Sequence, residues 1–448
     1  MLNYRRIQLK NYTGIFMKIA NFKINITPEI GCNLAGYSTN DVSIAKLDDL
    51  YACGLCVDDG ANKILIISFD LLALDEWYIK ELREMCANIL KVRISDVLLS
   101  CTHTHTGPDS RTLARCPEKL HVKYLESLKE KVCDAVKNLN GFKDCYFTFY
   151  ASKCNENRNR CYRTADNRGT FTPHRREVVP VADDFADKEL GQLFFFDSTN
   201  HLPLYVIGNY AAHPLAGHSP GLGGLRISAD YPGAFRDYIT ANTGAECMFI
   251  SGAAGDMVPA EDELGEDAIK QMGKNLGKAA IGGMIDSQRN PNRFKSTDAK
   301  VGSIIKTFEV EFRKKYFENQ QNLPPFYRNR KTCTLEIQCV SIGDICLVGV
   351  PGELTAELGQ EIKWHTPFRK AFIAYNSTAY FNYITPVNML VAGGYEGSAQ
   401  YFRARDSFKL VETAVDAMFD LRDEIFPEDA AESYPDNVTT PLVNIPAN

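Results

Sequence analysis

Strands alternating with amphipathic helices, followed by hairpins, predict an α/β fold of mixed β-sheets flanked by α-helices. Two observations carry this expectation. In the first part of the chain, short apolar runs such as 97–100 and 248–251 are interleaved with residues at helical spacing: Ile79, Leu82, Met85, Cys86 and Ile89, then Leu125, Leu128, Val132 and Val136, then Ile269, Met272, Leu276 and Ala279. Later, the strand-like runs 332–341 and 345–350 flank Gly343-Asp344, a two-residue hairpin signal. Hairpins of this kind exclude an all-parallel sheet.

The elements follow in order. Residues 21–27 read as a first strand, followed by a loop with Gly31, Gly36 and Tyr37. Runs 50–57 and 63–70 form a hairpin around Asp58-Asp59-Gly60. Asp75 suits a helix N-cap, and 145–151 reads as a strand. Residues 153–190 form a long polar connection bearing Arg158, Arg160, Arg163, Arg168, Arg175 and Arg176. Structureless loops of that length in compact proteins are usually functional or mobile. Residues 193–196 and 205–209 pair as a hairpin, and Pro232 fits a first helical turn. Residues 314–331, with Pro324-Pro325, read as an external loop. A last helix carries Phe408, Val411, Val415, Met418 and Ile425. The expected organisation is an extension over 1–16, one catalytic domain over 17–426, and a loosely held tail over 427–448.

At 448 residues, 24% charged and net charge −6, the chain gives no reason to expect nucleic acid or an anionic membrane as a partner. Its apolar runs are too short for a transmembrane segment. Fourteen cysteines without an export signal suggest reduced thiols in a cytoplasmic protein. Cys53 and Cys56 form a CxxC with no second CxxC nearby, which reads as packing.

The chemistry lies in five blocks: 101–108 (CTHTHTGP), 209–214 (NYAAHP), 251–259 (SGAAGDMVP), 351–355 (PGELT) and 383–397 (YITPVNMLVAGGYEG). Each places polar groups where an apolar strand runs into a turn or helix. If the strand before His103 continues, His103 and His105 point to the same side. His213 follows an apolar strand, and Glu353 opens a helix through Leu358. Singly, each has a plainer reading: a hydrogen-bonded loop pair, a core histidine, a first-turn carboxylate favoured by the helix dipole. Together, two histidines and a carboxylate form the open-site pattern of catalytic zinc. Zinc-bound water, with a pKa near 7, can attack a carbonyl. Gly252, Gly255 and Asp256 either cradle a polar substrate with backbone N–H groups or form an ordinary glycine-rich turn. No phosphate loop, dinucleotide fingerprint or HExxH is present.

Taken in order, the blocks resemble those of the neutral, non-lysosomal ceramidases, over residues 17 to about 410, with ITPEIGCNLAGY resembling that family's opening strand and loop. The resemblance implies one zinc ion with His103, His213, Glu353 and Tyr383 as ligands. It implies His105 as the proton-transfer histidine and Tyr395 as an oxyanion donor. It also implies Arg158, in Asn157-Arg158, as the arginine facing the scissile carbonyl. Three departures stand out. The chain is expected to lack the family's C-terminal immunoglobulin-like domain, the family's Asn-Arg-Ser-Pro continuation is Asn159-Arg160 here, and the GDVSP serine is absent from GDMVP. The expectation is therefore a zinc-dependent amidohydrolase acting on a small-molecule or lipid amide, with Gly255 and Asp256 contacting substrate. A cytoplasmic hydrolase of a small polar ester, lactone or N-acyl sugar is the alternative, and a non-catalytic binding protein a third reading. Substrate and oligomeric state stay open.

Overall fold

A computed structural model describes residues 17–36, 41–111, 122–163, 169–171, 182–183, 185–217, 225–260, 264–290 and 299–427. The expected extension over 1–16, nearly all of the expected tail, Tyr37, Arg168, Arg175, Arg176 and the side chain of Arg163 lie outside the described residues.

The core is two stacked sheets. The large one has the order Glu246–Ser251, Pro203–Tyr210, Glu189–Asp197, Lys143–Lys153, Met17–Asn25, Tyr51–Asp58, Lys63–Phe69, Val97–Cys101. It is antiparallel through its middle and parallel in the outermost pair at each edge. The small sheet runs Val301–Glu311, Thr332–Ile342, Ile345–Gly349, Lys370–Ala374, its last pair parallel. Mixed sheets flanked by helices are thus present, with both expected early hairpins.

Alternation sorts side chains between layers. Phe195, Leu193 and Phe147 pack toward the small sheet, against Val340, Leu347 and Phe372. Phe194 and Phe196 point the other way, onto Asp230–Thr243 and Glu266–Arg289. Glu76–Leu90 and Val122–Lys137 cover the rest of that outer face. Ala356–Trp364 and Asp406–Ile425 cover the outer face of the small sheet. The result is four layers: helices, large sheet, small sheet, helices. Gly191 lets the sheets close, because a Cβ there would lie 2.3 Å from a Phe372 ring carbon. Among the described residues no helix is long and apolar enough to cross a membrane.

Three expectations need correction. Residues 314–331 are more than an external loop: they hold the helix Lys314–Glu318 and two 3-10 turns, and Tyr316, Leu323 and Tyr327 plug the small sheet's outer core. Glu353 opens no helix. It sits on the short strand Glu353–Leu354, parallel to Tyr383–Ile384, and the helix starts at Ala356. The last helix is present, but Phe408 is exposed and the buried face runs through Leu410, Ala414, Met418 and Leu421.

One corner is cross-linked by polar bonds. Ser68 Oγ donates to the Phe249 carbonyl (2.5 Å), bringing the two edges of the large sheet together. Ser100 Oγ donates to Tyr375 O, and Tyr375 N donates to Ser251 O, both at 3.0 Å. Asn209 Nδ2 bridges the Ile250 and Ile373 carbonyls. Beneath it, Arg236 grips Asp70 with two bonds (2.8 and 2.5 Å), and Asp70 also accepts the Tyr51 N–H. Both partners are buried. Removing one member of such a pair leaves an uncompensated buried charge, which typically costs about 3–5 kcal/mol. Arg236→Ala should therefore lose about that much stability in chemical denaturation; a loss under about 1 kcal/mol would contradict this role.

A candidate metal centre at the corner of the two sheets

His103, His105, His213 and Glu353 meet at this corner. The strand Val97–Cys101 stops two residues short of His103, so strand alternation does not align the two histidines. Instead His103 takes a left-handed backbone (φ +71°), rare for a non-glycine residue and often found at functional sites. The rings of His103 and His105 then lie 5.0 Å apart, and those of His103 and His213 4.8 Å apart. Ligand atoms of His103, His105 and His213 all fall within 4.8 Å of one another, a group that could hold a metal ion.

Hydrogen bonds set the histidine tautomers. His103 Nδ1 is 2.8 Å from the Leu72 carbonyl, and Asn376 also contacts it. His213 Nδ1 is 3.0 Å from the Met257 carbonyl. A carbonyl only accepts, so each Nδ1 carries the proton and each Nε2 presents a bare lone pair. Neither Nε2 has a hydrogen-bond partner among the described residues. Both face Glu353 Oε2, at 3.5 Å from His103 and 3.3 Å from His213. Bonds of about 2.0–2.1 Å in a tetrahedron give ligand–ligand edges of about 3.3–3.4 Å. The two edges that end on Glu353 match this spacing and fit a divalent cation. Burial first, then Arg160, takes His213 down to about 4, so the ring stays neutral.

Glu353 is itself held. Its Oε1 accepts from Tyr380 Oη (2.7 Å) and its Oε2 from Tyr375 Oη (3.0 Å). Its N–H bonds to Asn382 O, which registers Glu353 beside Tyr383. Tyr383 Oη accepts from Arg160 Nη2 (3.0 Å). Burial and the Glu353 carboxylate raise the Tyr383 phenol, while Arg160 opposes them. Tyr395 lies half-exposed over this group, its ring 5.4 Å from that of Tyr383. His105 packs against Gly36 (φ +104°), where any Cβ would collide with the imidazole. Burial and the two neighbouring histidines hold its ring well below the usual histidine range.

The two arginines of the Asn-Arg-Asn-Arg stretch part company. Arg158 lies on the short strand Asn157–Asn159, paired with Met257–Pro259. Arg160 is buried, with Nε on Glu396 Oε1 (2.6 Å) and Nη2 shared between Tyr383 and the Gly255 carbonyl. Sequence reading gave Arg160 no contact with the metal group, and it passed over Tyr375, Tyr380 and Glu396. Gly255 and Asp256 meet the protein's own chain. Gly255 N–H bonds Leu354 O, and a Cβ at Gly255 would lie 2.7 Å from Glu353 O. The Asp256 carboxylate, pushed up to about 7 by burial, accepts from Ala356 N–H and Asn159 Nδ2.

An α/β sandwich with a buried histidine group able to hold a metal defines the class. The fold is neutral-ceramidase-like. The crystal structure of neutral ceramidase from Pseudomonas aeruginosa superposes with a TM-score of 0.73 at 16% identity, covering 92% of this chain and 75% of that one. A ceramidase complexed with C2 gives a TM-score of 0.73 at 15% identity, covering 92% and 76%. At this identity the likeness is one of fold. No family model and no curated protein matches the sequence.

Two glycines separate the roles of the groups they press on. Gly255→Ala should displace Glu353 and weaken metal binding by about 10–100-fold, the usual cost of disturbing ligand support. Gly36→Ala should displace only His105 and leave metal affinity, measured by chelator competition, within about threefold of wild type. Equal losses in both variants would make His105 a ligand.

Proposed function

We propose that the chain is a zinc-dependent hydrolase of an N-acyl (amide) bond. The carrying observation is the approach of two bare imidazole Nε2 atoms to one carboxylate oxygen, each at a tetrahedral edge distance from it. His103, His213 and Glu353 would hold the ion, with Tyr383 beside Glu353 as the fourth ligand. When bound, zinc supplies Lewis acidity and a water with a pKa near 7.

The chain's own groups do the rest. His105, kept neutral by burial and its neighbours, is placed to take a proton from the attacking water and return it to the leaving amine. Arg160 and Tyr395 flank Tyr383 and would bind the carbonyl oxygen as negative charge develops. Arg160 takes this part in preference to Arg158 because it hydrogen-bonds Tyr383. Gly255 and Asp256 then serve from behind, seating Glu353 and the backbone of Arg160, which bonds to Asp256 O.

The ceramidase fold supports a lipid amide as substrate. Residues 17–426 would form one catalytic domain. The thirteen described cysteines are free and buried, which supports action in a reducing, cytoplasmic setting.

Protein purified without chelator should carry about one zinc per chain, bound more weakly in Tyr383→Phe. His105→Ala should keep the metal and lose about 10²–10⁴-fold in kcat. Tyr395→Phe should keep it and lose about 10²–10³-fold. Turnover of both fluorescent ceramide and small N-acyl substrates that survives His103→Ala would overturn the proposal.

A further inference from the structure

The oxygens of Glu353 are held unequally. Oε2 faces both histidines. Oε1 is taken by the Tyr380 hydroxyl at 2.7 Å. Tyr380 is in turn braced. The Arg111 guanidinium lies 5.3 Å from its ring centroid and engages the phenol. Asp109 fixes that guanidinium through Nε (2.9 Å) and Nη2 (3.1 Å). A planar guanidinium locked on one edge by a carboxylate is rigid, so it can fix the tyrosine stacked on it. Ser110, between them, is anchored to Ala73 O (2.6 Å). The next carbonyl upstream, Leu72 O, receives His103 Nδ1. The segment after the histidine motif therefore holds a histidine support and the glutamate support in one piece.

On the other flank the same construction recurs, with Glu396 holding Arg160 and Arg160 holding Tyr383. Two acid–arginine pairs each address one tyrosine beside the metal group. Cys161 Sγ donates to the second Glu396 oxygen (3.0 Å) and completes that brace.

We propose that Tyr380, braced by Arg111 and Asp109, is a positioning residue that makes Glu353 a one-oxygen ligand. By occupying Oε1, its hydroxyl stops the carboxylate from turning both oxygens to the ion and keeps a position open for water. This rests on the reading of His103, His213 and Glu353 as metal ligands. A carboxylate freed at Oε1 can close on the ion with both oxygens, raising the coordination number and filling the open position.

The test uses the full chain loaded with Co²⁺ or Zn²⁺ alone. For Tyr380→Phe we expect metal affinity, by chelator competition, to fall by about 10–100-fold. The visible absorption of the cobalt form should also lose intensity as the coordination number rises. Arg111→Gln, at a partly exposed position, should shift both readouts in the same direction with the fold intact, and Arg111→Lys should rescue only part of the loss. This second variant keeps the test valid if Tyr380→Phe does not fold. Wild-type affinity and an unchanged cobalt spectrum in Arg111→Gln, and in Tyr380→Phe where it folds, would overturn the proposal and leave the metal reading standing. A wild-type chain that binds neither ion would overturn both.

Discussion

Three electron-rich atoms point at one buried spot: Nε2 of His103, Nε2 of His213 and Oε2 of Glu353. Without a cation between them they would repel one another in a medium where charges are poorly screened. Most of the unusual structure nearby serves to hold them there. Leu72 O and Met257 O fix the ring tautomers, Tyr375 and Tyr380 fix the carboxylate, and the backbone of His103 adopts a strained left-handed turn to reach its place.

That convergence requires four separate strand ends to share one corner. The two edges of the large sheet approach through Ser68 and Phe249, and the end of Lys370–Ala374 is stitched in by Ser100 and Ser251. His103 comes from one edge, His213 from the strand next to the other, and Glu353 from the small sheet's side. Sheets position such groups well because their backbone bonds leave little freedom, while the segments beyond the strand ends are free to turn toward the cavity. The short parallel pair Glu353–Leu354 and Tyr383–Ile384 extends this rigidity to the last two groups.

The regular parts of the fold were legible in the sequence. Period-2 alternation and turn residues marked the hairpins, and helical spacing marked the main helices. The candidate ligands were legible as strand-end motifs, but their local geometry was not. His103 and His105 converge through a positive-φ turn, which alternation cannot foresee. Glu353 followed a Pro-Gly signal that suits a helix start, yet a long-range bond to Asn382 O makes it a strand. Tyr375, Tyr380 and Tyr383 fit no single helical or strand period, because the chain between them is irregular, so the two that hold Glu353 left no pattern to detect. Arg158 and Arg160 are chemically alike, and only the fold shows that Arg160 is the one against Tyr383. The burial of Tyr316, Leu323 and Tyr327 was hidden by the polar residues around them.

X-ray absorption at the zinc edge, on protein loaded with one equivalent of zinc, tests the convergence most directly. The arrangement predicts two imidazoles and oxygen donors at about 2.0–2.1 Å, with no sulfur. A shell of three imidazoles would make His105 a ligand and remove it as the proton carrier. A shell dominated by sulfur, or a chain that does not retain the ion, would contradict the centre itself.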